Sequence, residues 1–189
     1  MTIDVGTGDG RAVLATAARE PSTLVLGIDA SAAAMVEASR RAAGPARKGG
    51  LDNARFVLAA AEAIPAELAG RAHLVTVLFP WGSLLHGCLG RDEVVARGVA
   101  GLVAPGGTLQ LLLAPAARDG LVGVPTTSRG VTAAVAQAFE PEGFEIVEAR
   151  EATPAEVSAT GSTWARRLGA ARSHDAGERV ATLIRLGRR

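Results

Sequence analysis

Three short stretches carry residue types that could do chemistry. The first is Asp4-Val5-Gly6-Thr7-Gly8-Asp9-Gly10, with glycines at alternate positions and carboxylates before and among them. Glycine lets a chain turn sharply and approach a ligand with no Cβ in the way. The dinucleotide fingerprint G-x-G-x-x-G would want a further glycine where this chain has Arg11. Carboxylates around a helix start repel a pyrophosphate and suit a zwitterion or a cation. S-adenosylmethionine, with its sulfonium, ammonium and carboxylate, meets that demand. The competing reading is a turn that merely packs helix on strand.

The second stretch is Phe79-Pro80-Trp81-Gly82-Ser83-Leu84-Leu85. It follows an apolar run, His73 to Phe79, so Trp81 stands at the carboxyl end of a strand, where ligands bind in open α/β sheets. Ordinary packing of Trp81 beneath a loop is the alternative. The third is Ser162-Thr163-Trp164-Ala165-Arg166-Arg167-Leu168, with Arg172 beyond it. A tryptophan beside arginines can stack a base while the guanidinium groups hold phosphate. The same spacing also suits an amphipathic helix with Trp164 and Leu168 facing a core, and from this stretch alone that reading is preferred. Asp29 lies about 20 residues past the glycines, where an acid binds ribose hydroxyls in this architecture. Capping of the next helix by Asp29 or Ser31 competes with that role. Arg40, Arg41, Arg47 and Lys48 form a basic cluster that by itself reads as a solvated surface turn. His86 and Cys88 are too few for a metal site, and no metal is expected.

The elements that must position these residues alternate. Strands are expected at Ile3–Val5, Leu24–Ile28, Ala54–Ala59, His73–Phe79, Thr108–Leu113, Phe144–Val147 and Arg179–Leu186. Helices are expected at Arg11–Arg19, Ala32–Ala43, Arg91–Leu102, Val131–Phe139 and from Thr153. Thr153-Pro154-Ala155-Glu156 supplies a cap, a proline at the first helical position and an acid in the first turn. Pro105-Gly106-Gly107 reads as the stop of the third helix, and Ala114–Gly130 as a long loop. Alternation of this kind predicts an α/β fold: a seven-stranded, mostly parallel sheet with helices on both faces and a final strand that runs antiparallel. With 189 residues, 48% hydrophobic and 21% charged, the chain fits one domain, 1–189. A net charge of +1 excludes a protein basic throughout, so any nucleic-acid surface is local. One cysteine excludes an internal disulfide and suits the cytoplasm. No apolar run is long enough to span a membrane.

Together the three stretches resemble the aminoglycoside-resistance methyltransferases of the KamB and NpmA type, which modify N1 of adenine 1408 in 16S rRNA. Lys48-Gly49-Gly50-Leu51 and Ala61-Glu62-Ala63-Ile64-Pro65 resemble the same family. The resemblance implies a class I S-adenosylmethionine-dependent methyltransferase (Rossmann-like) that acts on the 30S subunit as a monomer. It implies that Asp4, Gly6, Thr7 and Gly8 hold the methionine end of the cofactor, Asp29 its ribose, and Ala61 and Glu62 its adenine. Leu78, Phe79, Pro80, Trp81, Gly82 and Ser83, with Ser162 and Thr163, would close the pocket. Trp81 and Trp164 would sandwich the target adenine, as the catalytic pair. Arg40, Arg41, Arg47, Lys48, Arg166, Arg167 and Arg172 would face RNA. Family members carry a segment ahead of the glycine strand. This chain begins two residues before Ile3, so a very short yet central first strand is expected. Two further readings stay open: a methyltransferase of this fold acting on a small molecule, and a cofactor-binding relative with weak or no rRNA methylation.

Overall fold

The computed structural model describes residues 1–115, 123–161 and 180–189. Seven strands form one sheet: β1 (Thr2–Val5), β2 (Val25–Asp29), β3 (Ala54–Leu58), β4 (Ala72–Leu78), β5 (Val103–Leu113), β6 (Phe144–Glu151) and β7 (Thr182–Arg188). Their spatial order is β3-β2-β1-β4-β5-β7-β6. The pairs from β3 to β5 are parallel, while β7 runs antiparallel to both β5 and β6. The expected reversal of the last strand is therefore present. The order turns around at β1 and β4, and such a switch point opens a crevice at the carboxyl ends of the strands.

β1 is only four residues long, yet all four are buried between β2 and β4. Ile3 and Val5 point into the larger core with Val75 and Val77 of β4. That core is closed by α3 (Gly82–Cys88), α4 (Glu93–Leu102) and α5 (Ser128–Phe139), through residues such as Leu85, Val95, Val99 and Val135. The opposite face carries α1 (Arg11–Arg19) and α2 (Ala32–Ala42), which bury Val13, Leu14, Ala17, Ala38 and Ala42 against Val25 and Ala54. A short α6 (Pro154–Ala159) lies over the same face, with Val157 against Leu112 and Leu183. A sheet covered on both sides explains why the run over β4 lacks alternation.

Local signals account for most boundaries. Thr153 and Glu156 make the expected capping box on α6, and Asp92 caps α4 through the Val94 and Val95 N–H groups. Two expectations need correction, and one helix was not foreseen. Pro105-Gly106-Gly107 does not separate α4 from a strand: β5 begins at Val103, and the Pro-Gly-Gly run bulges out between pairings of Ala72 with Val103 and Leu74 with Thr108. Gly106 adopts φ +72°, which the bulge requires. Helix α3 gave no signal, since its N-cap is Trp81 with no side-chain cap bond. Finally, α5 already starts at Ser128, capped by Thr127, so the loop after β5 is shorter than read from composition.

A carboxylate-lined cleft at the switch point

The crevice at the carboxyl ends of β1, β2 and β4 is a cleft of about 580 Å³. It gathers Gly6, Thr7, Gly8, Asp29, Ala61, Glu62, Leu78, Phe79, Pro80, Trp81 and Ser83 from the expected site, and adds Asp9, Ala59, Ala60 and Leu84 among others. Gly82 is not in the lining; it is the first residue of α3. Ser162, Thr163, Trp164, Arg166, Arg167 and Arg172 lie outside the described residues.

The glycine turn is built for close approach. Gly6, Gly8 and Gly10 all have positive φ, at 73°, 56° and 68°. A Cβ on Gly6 would stand 2.5 Å from Leu84 Cδ2, whereas Gly8 faces open space on the cleft side. The backbone there forms a cradle that a side chain would fill. The free helix-end donors expected of such a loop are partly taken. Gly8 N–H donates to Asp29 Oδ2 at 2.7 Å, and Arg11 N–H to Asp9 Oδ1 at 3.3 Å. Asp9 also pairs with Arg11 at 3.3 Å.

Asp29 does more than either alternative read from the sequence. Ser31 caps α2 by accepting from Ala34 N–H, while Asp29 Oδ1 accepts from Ser31 N–H at 2.8 Å. Asp29 thus clamps the glycine loop with one oxygen and the start of α2 with the other. Each carboxylate oxygen has a second lone pair, so hydroxyl groups of a ligand in the cleft can still be received.

Trp81 sits at the rim, 39% exposed. The turn that presents it is strained. Phe79 has φ +51°, the only positive φ at a non-glycine residue among those described. For a bulky side chain this costs roughly 1–2 kcal/mol.

Asp4 is placed differently from expectation. It does not line this cleft; with Thr2 it points through the sheet to the α1–α6 side, into a smaller cavity of about 250 Å³. Thr76 Oγ1 donates to Asp4 Oδ1 at 2.6 Å, a partner that only the β1–β4 register reveals. Burial pushes the Asp4 carboxyl up from 3.8 to about 6; the Thr76 hydrogen bond pulls the other way, and the nearby Asp29 charge adds to the rise. The folded-state value lies above the unfolded one, so the ionised form opposes folding. Stability from this group is complete below about pH 4 and is lost as pH rises through about 6. Asp4→Asn is therefore expected to stabilise the fold by about 3 kcal/mol near pH 8, with no gain near pH 4. Thermal melts of both proteins across that range check it; equal melting temperatures at high pH would contradict the burial argument.

One positioning residue escaped sequence reasoning. Gly98 sits in the middle of α4, and a Cβ built there would overlap the Ala61 carbonyl oxygen. The helix therefore needs a glycine to let the Ala61–Ala63 turn, with Ala61 and Glu62, settle into the cleft wall. A glycine inside an otherwise good helical pattern was the available signal.

The electrostatics decide what fits. Asp9, Asp29 and Glu62 line the cleft, and no lysine or arginine does among the described residues. Phosphates would be repelled, while a sulfonium and an ammonium would be welcome. Among the described residues no group of three metal-ligating side chains occurs, and no helix is long and apolar enough to cross a membrane.

A β3-β2-β1-β4-β5-β7-β6 sheet with a glycine cradle and an acidic cleft defines a class I S-adenosylmethionine-dependent methyltransferase. The model of the NpmA family, 16S rRNA (adenine(1408)-N(1))-methyltransferase, matches residues 1–182, and the chain belongs to that family. It is similar to the enzyme of that name from Streptoalloteichus tenebrarius, with 34% identity over 177 residues, 91% of this chain and 81% of that protein. A variant of the enzyme of that name from Catenulisporales acidiphilia, solved with cosubstrate SAM, superposes with a TM-score of 0.84 and 29% identity over 99% of this chain and 84% of that one. The aminoglycoside resistance methyltransferase NpmB1 gives a TM-score of 0.77 and 38% identity over 100% and 86%.

Proposed function

We propose that this chain methylates N1 of adenine 1408 of 16S rRNA within the 30S subunit and so confers aminoglycoside resistance. The observation that carries the reading is the cleft itself: carboxylates at a glycine cradle, no lysine or arginine in the lining among the described residues, and an exposed tryptophan at its mouth. When bound, S-adenosylmethionine supplies an activated methyl group, which the lone pair of adenine N1 can accept without prior loss of a proton.

No residue of the chain then has to act as a general base. Its task is to extract the base from its stack, at a cost of a few kcal/mol, and to hold N1 in line. Asp29 receives the ribose hydroxyls, Ala61 and Glu62 flank the adenine of the cofactor, and Gly6, Thr7 and Gly8 approach its methionine end. Trp81 offers one face to the target base and Trp164 the other. A base methylated at N1 becomes cationic, and indole faces suit a cation.

Arg40 and Arg41 at the end of α2, with Arg47 and Lys48 in the next turn, are all exposed and suit phosphate contact. Arg40 also pairs with Glu37 at 3.2 Å on the open surface, an interaction of little strength. Arg166, Arg167 and Arg172 extend this surface in our reading. The protein acts as a single-domain monomer in the cytoplasm.

The test is transfer of labelled methyl to isolated 30S subunits, followed by primer extension. A stop at adenine 1408 is the expected result. Label on a panel of small metabolites, with none on rRNA, would replace this reading by small-molecule methylation.

A further inference from the structure

Phe79 stands out twice: by its backbone, in the left-handed region, and by where its ring goes. The ring is 5% exposed and packs with Leu112, Val157, Ala181 and Leu183 on the α1–α6 side of the sheet. Its N–H donates to Leu112 O at 2.8 Å, which extends the β4–β5 pairing one step past Leu78. Beyond it, Pro80 and Trp81 leave the sheet, and with Phe79 they line the cleft. A strand that simply continued would place Trp81 along the β4 direction. The left-handed residue redirects it, and an L side chain holds that conformation only when its surroundings enforce it.

We propose that Phe79 is a positioning residue for base capture: its ring, locked under α6, enforces the turn that sets Trp81 at the cleft mouth. The proposal rests on the reading of Trp81 as a base-stacking group. Val157 and Ala181 lie on either side of residues 162–179 in the chain, so the same cluster anchors both the Trp81 turn and the described flanks of the stretch that holds Trp164. Ala152 N–H donates to Ala181 O at 2.7 Å, which ties those flanks together. A displacement of Trp81 by about 1 Å would cost catalysis about a hundredfold, since such misplacement alone has that effect.

The experiment uses the full chain with Trp164→Phe, which leaves Trp81 as the sole tryptophan. Phe79→Ala in that background is expected to raise acrylamide quenching of Trp81 fluorescence about twofold. In the otherwise unaltered chain, Phe79→Ala is expected to lower kcat on 30S subunits about a hundredfold at saturating S-adenosylmethionine. Phe79→Leu, which refills the cluster, should recover most of both. Val157→Ala, from the opposite wall, should show the same pattern more weakly and serves if Phe79→Ala does not fold. Parent quenching and parent kcat in a folded Phe79→Ala protein would overturn the proposal, and so would raised quenching with unchanged kcat. Full activity of Trp81→Ala would instead overturn the base-stacking reading, so the two failures are distinguishable.

Discussion

Trp81→Ala is expected to reduce methylation of 30S subunits by about a hundredfold or more in kcat/KM, while cofactor affinity stays within about threefold. The reasoning starts from geometry. Trp81 is exposed at the rim, on a turn that the protein holds in a costly conformation. Stacking a base on an aromatic face contributes about 1–3 kcal/mol, and alignment of a reacting atom adds to this. Both contributions appear only when the base is in place, so the loss falls on rRNA rather than on the methyl donor. Trp81→Phe keeps an aromatic face and should recover much of the activity. Rate and affinity are read by labelled-methyl transfer and by calorimetry. A Trp81→Ala protein that methylates at the parent rate would remove Trp81 from base capture.

Gly98→Ala is expected to destabilise the fold by about 2 kcal/mol and weaken S-adenosylmethionine binding about tenfold. In an ordinary helix this change stabilises, because alanine exceeds glycine in helix propensity by about 1 kcal/mol. Here the new methyl meets a backbone carbonyl, that of Ala61, which cannot swing away as a side-chain tip could. Either α4 moves off the sheet or the Ala61–Ala63 turn lifts from the cleft wall. The second response carries Ala61 and Glu62 with it, so stability and binding fall together. Gly101, in the same helix, is the internal control: a Cβ there meets nothing within 4 Å. Gly101→Ala should gain up to about 1 kcal/mol with unchanged binding. Denaturant titration and calorimetry on both variants give the comparison. If Gly98→Ala behaved like Gly101→Ala, the close approach would have no role in shaping the cleft.

The residues of the cleft were largely legible in the chain, while the reason each sits where it does was not. The alternate glycines, Asp29 at a strand end and Trp81 between proline and glycine stood out because each is a local feature. Positive φ, a strand terminus and a capping box depend on a residue and its near neighbours, and these are what a linear sequence displays. The capping box of α6 was read correctly for that reason, while the reversal of the last strand was read from the order of the elements. Misreadings arose where two local signals conflicted. Pro105-Gly106-Gly107 has the composition of a break, yet pairing with β4 carries the strand past it as a bulge. Helix α3 lacks a polar cap and is held by burial of Leu85 and Cys88 instead.

By itself, then, the amino-acid order determined an alternating α/β chain, a glycine turn unsuited to phosphate and the positions of its acids and tryptophans. Tertiary structure alone decided which way those groups face and what touches them. Asp4 meets Thr76 across 72 residues of chain and turns away from the cleft, Gly98 receives the Ala61 carbonyl, and Phe79 reaches through to the floor of α6. The physical reason is that dihedral preference and capping act between adjacent residues. Side-chain orientation, burial and the pKa of a buried acid are set by packing between segments that sequence keeps far apart.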